Sequence, residues 1–280
     1  MSIELPEALI LAQQLSSELQ GKTVKSWQVK DCERMQRIGL LDKDLTSFNL
    51  LVGGKVTAAV ARGNAIRVKV DNGSNLLLAP EYGGHIFFHP SKSEVPKKFH
   101  LKVDFNDGSA LTVRLISMGH FSALRDSDLE HSYIYRRDFN PAIASPIEKA
   151  FTFKHFSQLL SDINRALKSV LVGKDAVVVG LSNSAFQDII FRANLHPKRK
   201  ASELTPDEQR ALFDGIGVVL KERIRLKGKI QFLDLYGKQG QYEPAMGPNL
   251  KHQPCPTCQT PIAKLSVGGG HVYLCPKCQA

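Results

Sequence analysis

Residues 180–208 read GLSNSAFQDIIFRANLHPKRKASELTPDE, and this stretch decides the fold. The apolar residues of its first part recur at helical spacing, which predicts a helix at about 184–194. Its last part predicts the start of another helix, because Thr205 can cap it, Pro206 suits its first position and Glu208 can close a capping box. The stretch therefore predicts two consecutive helices with a basic run between them.

The chain closes with CPTCQTPIAKLSVGGGHVYLCPKCQA at residues 255–280. Two Cys-x-x-Cys pairs at this spacing predict one tetrahedral, structural zinc ion per chain, because a single turn can present both sulfurs of a pair. Two disulfides or four free thiols are the alternatives. The residues between the pairs predict a β-hairpin around a glycine turn, which needs its metal to fold. The predicted zinc ligands are Cys255, Cys258, Cys275 and Cys278.

The composition indicates a globular protein that binds a polyanion. The chain has 280 residues, of which 42% are hydrophobic, and a net charge of +10. Residues 151–280 hold 18 Lys and Arg against 10 Asp and Glu, so most of the excess lies in the second half. We expect a cytoplasmic protein without a membrane partner, because no apolar run is long enough to span a bilayer and only Cys32 lies outside the closing motif.

The first half predicts a β-rich domain that follows an amphipathic helix at residues 5–20. The runs AIRVKVDNGSNLLLA and HLKVDFNDGSALTVRLI each alternate apolar and polar residues around a turn, which predicts two hairpins and an antiparallel sandwich or barrel. Beyond a proline-containing boundary, apolar residues keep a helical period over 156–171. The predicted fold class is α+β, with an N-terminal β-sandwich domain at 1–135, a helical domain at 136–240 and a zinc finger at 250–280.

Three features together resemble the formamidopyrimidine-DNA glycosylase / endonuclease VIII family over nearly the whole chain. They are IELPEAL at residues 3–9, the stretch at 180–208, and the zinc motif that ends in CPKCQ. The resemblance implies a two-lobed fold with a helix–two-turn–helix. It also implies that DNA is bound between the lobes. We expect a monomer, associated with the nucleoid, that binds duplex DNA, including damaged or abasic DNA.

The resemblance assigns a phosphate contact to Asn183. Its place near the start of a predicted helix supports this role, because free backbone N–H groups there can hold a phosphate, and an ordinary helix cap is the alternative. Two basic groups could also neutralise phosphates or simply form solvated faces. One group contains His196, Lys198, Arg199 and Lys200, and the other contains Lys221, Arg223, Arg225, Lys227 and Lys229.

The catalytic end of the family pattern is incomplete. Family enzymes attack the sugar of a damaged nucleotide with the secondary amine of an N-terminal proline, and the Glu that follows handles protons. Glu4 matches that Glu, but Ile3 occupies the position of the proline. Removal of Met1 would expose the amine of Ser2, which lies one residue, or about 3.5 Å, too far out.

Four further positions depart from the family pattern, and we still expect DNA contacts from Asn64, Tyr82 and His120, which occupy three of them. Asn64 stands where the family has a Lys, and Tyr82 stands where a Met fills the gap left by the extruded base. His120 replaces the Arg that faces the orphaned base. Gly270 replaces the phosphate-binding Arg of the zinc hairpin, although His271 beside it could compensate weakly.

We therefore expect a DNA-binding member of this family whose active site is eroded or rebuilt. One alternative is a working glycosylase/lyase that uses the Ser2 amine or another nucleophile. A second alternative is a non-enzymatic RNA-binding protein that uses the same basic surface.

Overall fold

The computed structural model describes residues 3–279 and every side chain in that range except that of Tyr82. The chain divides into two compact units. The first contains the residues up to Asn140 together with Leu226–Gln241, and the second contains Pro141–Arg225 and the residues from Tyr242 onwards. The limits predicted above for three domains stay predictions.

Two four-stranded antiparallel sheets form the sandwich of the first unit. Their strands are β1 (Val24–Val29), β2 (Val56–Arg62), β3 (Ala65–Val70), β4 (Ser74–Tyr82), β5 (His85–His89), β6 (Leu101–Phe105), β7 (Ala110–Arg114) and β8 (Met118–Arg125). One sheet has the order β1-β6-β7-β5 and the other β2-β3-β4-β8. Apolar residues of both sheets, such as Val103 and Leu78, lie in one buried cluster, which confirms the predicted sandwich.

Both predicted hairpins are present. Val68 pairs with Leu76 across the β3–β4 turn, and Val103 pairs with Leu111 across the β6–β7 turn. The turns end on Gly73 and Gly108, whose φ angles of 75° and 89° are readily adopted only by glycine. The alternation of apolar residues thus places one face of each hairpin in the core.

The first helix, α1 (Leu5–Leu19), packs its apolar face into the same cluster. Glu4 and Glu7 close a capping box at its start, with the Glu4 N–H donating to Glu7 Oε2 at 3.1 Å. The Ser16 hydroxyl donates to the carbonyl of Ala59, a residue of β2, at 2.9 Å. These contacts fix the first helix, and with it the N-terminal motif, against the sandwich.

Short helices complete the first unit, and helices of five to twenty residues build most of the second. The first unit contains α2 (Glu33–Arg37), α3 (Tyr133–Asp138) and the 3-10 turns Thr46–Leu51, Lys92–Glu94 and Asp126–His131. The second contains α4 (Phe153–Leu160), α5 (Leu167–Leu171), α6 (Asn183–Arg192), α7 (Pro206–Arg225) and the 3-10 turns Ala201–Glu203 and Pro248–Leu250.

The continuous helix predicted over 156–171 is wrong, because the structure divides it into α4 and α5. The backbone between them pairs with a distant segment instead of with itself. The Leu167 N–H donates to the Arg199 carbonyl at 2.8 Å, and the Ala201 N–H donates to the Arg165 carbonyl at 2.9 Å. Long-range hydrogen bonds of this kind override a local helical period.

The two helices of the deciding stretch form as predicted. The Thr205 N–H donates to Glu208 Oε2 at 2.8 Å, and the Glu208 N–H donates to Thr205 Oγ1 at 3.2 Å, so the capping box of α7 is complete. Gly215 lets α7 approach α6 closely, since a Cβ there would lie 3.3 Å from the Ile189 carbonyl oxygen.

The closing segment forms the predicted hairpin from β9 (Ala263–Val267) and β10 (Gly270–Leu274). Gly268 and Gly269 make its turn with φ angles of 54° and 73°. Among residues 3–279, no helix combines the length and the apolar character needed to cross a bilayer.

Candidate zinc centre and nucleic-acid interface

The four closing cysteines converge on one point. Their sulfur atoms all lie within 4.8 Å of one another. Cys255 Sγ lies 3.9 Å from Cys278 Sγ, and Cys258 Sγ lies 3.4 Å from Cys275 Sγ. A tetrahedron with zinc–sulfur distances of about 2.3 Å has edges of about 3.8 Å, so the four thiolates fit one zinc ion with no open position. The predicted structural zinc site is confirmed.

The electrostatics of the cluster also favour a cation. Hydrogen bonds with the side chain and backbone of Thr260 lower the pKa of Cys258 to about 6. The hydrogen bond between Cys278 and Cys258 raises the pKa of Cys278 to about 12, and burial acts in the same direction. Thiols this close resist losing all four protons together, because the thiolates repel one another, and a bound divalent cation would remove that opposition.

Two glutamine side chains of the second unit hold the zinc hairpin against α6 and the residues that follow it. The Tyr273 N–H donates to Gln187 Oε1 at 2.7 Å, and Gln279 Nε2 donates to the Leu195 carbonyl at 3.0 Å. Both glutamines are 1% exposed. They were not predicted, because nothing in the sequence distinguishes a buried, structural glutamine from a surface one.

Asn183 is the first residue of α6, and both ends of its amide are engaged. Asn183 Nδ2 donates to the His271 carbonyl at 2.7 Å. Asn183 Oδ1 accepts a hydrogen bond from the ammonium group of Lys168. The start of the helix, the zinc hairpin and a lysine therefore meet at this amide. The predicted phosphate contacts of Asn183 and His271 stay predictions.

The basic run between α6 and α7 is only partly available for a ligand. Arg199 Nη1 lies 3.0 Å from Glu208 Oε1, within the capping box of α7. Lys198 is exposed, and Lys200 lies 3.7 Å from Glu203. Burial, followed by the charge of Lys198, lowers the pKa of His196. Lys198 is thus the better-exposed of the two predicted DNA contacts, Lys198 and Arg199.

Two members of the second basic group are buried and so do not belong to a solvated face, and the phosphate contacts suggested for them stay predictions. Arg223 is 1% exposed, because the period of α7 places it on the face that also buries Ile216 and Leu220. Lys229 is 2% exposed, and its Nζ lies 3.5 Å from Glu4 Oε2. The exposed members are Lys221, Arg225 and Lys227.

The N-terminal motif is packed rather than open. The Ile3 N–H donates to the Glu81 carbonyl at 3.0 Å, and the Ile3 side chain is 5% exposed within the core cluster. Glu4 is completely buried, beside the ammonium of Lys229. Ser2, the alternative nucleophile, lies outside the described residues. The catalytic roles predicted for Ser2 and Glu4 stay predictions.

Arg137, which sequence reasoning missed, is bound to acidic groups near this motif. It forms ion pairs with Glu81, the residue whose carbonyl binds Ile3, and with Asp138. Burial acts against the Arg137 charge, but Asp138 and Glu81 outweigh it and raise its pKa. Burial raises the pKa of Asp138. No local pattern could have indicated this arginine, because it lies more than fifty residues from Glu81 in the chain.

The remaining predicted contacts are scattered over the turns and strands of the first unit. Asn64 lies in the turn between β2 and β3, and its Oδ1 is buried without a hydrogen-bond partner. His120 lies in β8, where its Nδ1 is 2.9 Å from the Leu40 carbonyl. Since a carbonyl only accepts, that nitrogen carries the proton. The Tyr82 side chain lies outside the described part of the chain. The DNA contacts assigned to these three residues stay predictions.

Three family models match consecutive parts of the chain. The formamidopyrimidine-DNA glycosylase N-terminal domain matches residues 3–116, and the formamidopyrimidine-DNA glycosylase H2TH domain matches residues 143–233. The zinc finger found in FPG and IleRS matches residues 253–280. The chain belongs to the formamidopyrimidine-DNA glycosylase family.

Curated members of the formamidopyrimidine-DNA glycosylase family are similar along their whole length. The protein of that name from Roseiflexus sp. (strain RS-1) is 29% identical over 99% of both chains. The one from Bacillus licheniformis is 27% identical over 99% of this chain and 98% of its own.

Solved structures share the fold. The MutM (Fpg) protein of Thermus thermophilus superposes with a TM-score of 0.82 at 23% identity, over 99% of this chain and 98% of its own. The Lactococcus lactis Fpg in complex with DNA containing an abasic site superposes with a TM-score of 0.84 at 20% identity, over 99% of both chains.

Proposed function

We propose that the protein binds duplex DNA, including damaged or abasic DNA, and has lost most of the amine chemistry of its family. The zinc hairpin and the start of α6 support DNA binding, because Asn183 is held there beside a cation. The complex of the Lactococcus lactis relative with abasic DNA supports the same class of ligand.

Ile3 is the observation that carries the loss of chemistry. An amine nucleophile must be free and unprotonated to attack a sugar carbon and form a Schiff base. The nitrogen of Ile3 is a peptide nitrogen whose N–H donates to the Glu81 carbonyl, and its side chain is part of the core. Neither group can act as the attacking amine. A free amine one residue further out would be displaced by about 3.5 Å, and a misplacement of about 1 Å already costs two orders of magnitude in rate.

Two measurements on one preparation test the proposal. Duplexes with and without an abasic site are titrated between 50 and 200 mM salt, and the abasic duplex is treated with borohydride, which traps a Schiff base. We expect binding that weakens by on the order of tenfold or more over this range, because several phosphates are contacted. We expect little or no trapping.

A restored variant provides the positive control. Deletion of Ser2 with Ile3→Pro would place a secondary amine directly before Glu4 after Met1 is removed. Asn64→Lys would return a cation to the β2–β3 turn, and Gly270→Arg would return one to the zinc hairpin. This variant should trap abasic DNA measurably but slowly, since Tyr82 and His120 still depart from the family pattern.

Three results would contradict the proposal. Efficient trapping by the native protein that is lost when its N-terminal amine is blocked would make Ser2 the nucleophile of a working lyase. Affinity that does not respond to salt would exclude a phosphate-binding surface. Preference for structured RNA over duplex DNA in competition would favour the RNA-binding alternative.

A further inference from the structure

The ammonium group of Lys168 is buried without a carboxylate beside it. Lys168, in α5, is 6% exposed, and burial lowers its pKa. Within residues 3–279 the ammonium group donates one hydrogen bond, to Asn183 Oδ1, and lies 5.5 Å from the centroid of the Phe186 ring. An ammonium group has three N–H donors, so two of them have no protein acceptor in the described part of the chain.

A cation in this condition destabilises the fold unless something compensates its charge. Burial of an unpaired charge is unfavourable, and two other cations of the described residues, one buried and one half-buried, have anionic partners. Lys229 lies beside Glu4, and Arg137 lies beside Glu81 and Asp138. Lys168 is the exception among these, and an anionic ligand would compensate its charge.

The surroundings of Lys168 suit a phosphate group. Asn183 places the N terminus of α6, a helix of ten residues, beside the ammonium. Helix N termini attract anions through their free N–H groups and their dipole. The glycine turn of the zinc hairpin lies close by, since a Cβ on Gly268 would be 3.3 Å from Lys168 Cγ and a Cβ on Gly270 would be 3.9 Å from Lys168 Nζ.

Lys168 therefore lies next to the position whose side chain the family pattern lacks here. The resemblance assigns a phosphate-binding Arg to position 270, and this chain has Gly270. A side chain that leaves position 270 would begin within van der Waals distance of the Lys168 ammonium. The two positions can thus deliver a cation to the same place.

We propose that Lys168, with Asn183 and the first turn of α6, binds a backbone phosphate of the nucleic acid and supplies the cation that position 270 lacks. This inference rests on the proposed function. It assigns a binding role to a residue of α5, which lies outside both the basic run and the zinc hairpin.

The first test compares Lys168→Met with Lys174→Met, which removes an exposed lysine six residues away. Affinity for undamaged duplex is measured from 50 to 200 mM salt. Lys168→Met should weaken binding by on the order of tenfold, the value of one charge-assisted hydrogen bond. It should also reduce the slope of log K against log salt by about 0.9, the loss of one phosphate contact. Lys174→Met should leave both quantities nearly unchanged.

The second test moves the cation. Gly270 lies outside the left-handed region of backbone conformation, so it can accept a side chain without backbone strain. Lys168→Met combined with Gly270→Arg should recover most of the lost affinity and salt dependence. Gly270→Arg alone should gain little, because it would crowd two cations at one phosphate.

Stability separates a ligand contact from a structural one. If Lys168 binds phosphate, Lys168→Met removes an uncompensated buried charge, and the Tm without DNA should stay the same or rise. If Lys168 only holds the Asn183 side chain in place, the Tm should fall and Gly270→Arg should not restore binding. That result would overturn the inference. Zinc content reports whether each variant retains its folded hairpin.

The outcomes also separate the inference from the function on which it rests. Salt-sensitive binding by the native protein with equal behaviour of Lys168→Met and Lys174→Met would overturn the role of Lys168 alone. Failure of the native protein to bind nucleic acid at any of these salt concentrations would overturn both.

Discussion

Removal of one partner from the Glu4–Lys229 pair should destabilise the protein, and removal of both should not. Glu4 is completely buried, Lys229 is 2% exposed, and Lys229 Nζ lies 3.5 Å from Glu4 Oε2. At this distance and an effective dielectric constant of about 20 the attraction is about 5 kcal/mol. Single truncation of a buried pair commonly costs about 3–5 kcal/mol, because it leaves the other charge without compensation.

The expected change in the melting temperature follows from the size of the unit. For a domain of about 150–250 residues, each kcal/mol shifts the Tm by about 2–4 °C, so the cost of about 3–5 kcal/mol predicts that Lys229→Met lowers the Tm by about 6–20 °C. Glu4→Gln should cost somewhat less, since an amide can still accept the capping hydrogen bond from the Glu7 backbone. Glu4→Gln with Lys229→Met should recover most of the loss, which gives a coupling energy of about 2 kcal/mol or more.

Urea denaturation of the native protein, the two single variants and the double variant measures this double-mutant cycle. Borohydride trapping tests whether Glu4 also has a role in the chemistry. The trapping is carried out in the variant with the restored N-terminal proline. If Glu4 is mainly a structural partner of Lys229, trapping should fall only as far as the folded fraction falls. If Glu4→Gln leaves the stability unchanged but abolishes trapping, this reasoning is refuted. Glu4 would then have the proton-handling role that the family pattern implies.

Two further predictions concern the second unit. Metal analysis should find one zinc per chain. Cys275→Ser with Cys278→Ser should abolish zinc binding and unfold the closing hairpin. Metal retained by that double variant would exclude the four-cysteine site. Asn183→Ala should weaken binding to all duplex sequences alike, by on the order of tenfold, because the residue is proposed to hold backbone and not bases; a loss confined to certain sequences in a titration series would contradict that role.

The parts of the fold that the sequence predicted depend on neighbours in the chain. The capping box of Thr205 and Glu208, the glycine turns and the Cys-x-x-Cys pairs each lie within a few residues. Their geometry is set by local backbone preferences, which a sequence displays directly. The β-sandwich was predicted for the same reason, since each hairpin carries its own alternation and turn.

The predictions that were wrong or missing depend on distant contacts. The helix over 156–171 is interrupted because residues 165 and 167 pair with residues near 200. Lys229 was interpreted as a surface cation because its partner, Glu4, lies at the other end of the chain. Lys168 was not singled out at all, because a lysine within an apolar helical period is usually a surface residue, and only the fold shows that it is buried beside Asn183.

The two main departures from the family pattern differ in what surrounds them. At Gly270 the missing cation has a substitute nearby, because Lys168 lies beside it with donors still available. At Ile3 the described surroundings offer no substitute amine, because the adjacent cations are already paired, Lys229 with Glu4 and Arg137 with Glu81. We therefore propose that phosphate binding survives the first change and that amine chemistry does not survive the second. This difference is the reason to expect a protein that binds DNA but forms little Schiff base for borohydride to trap.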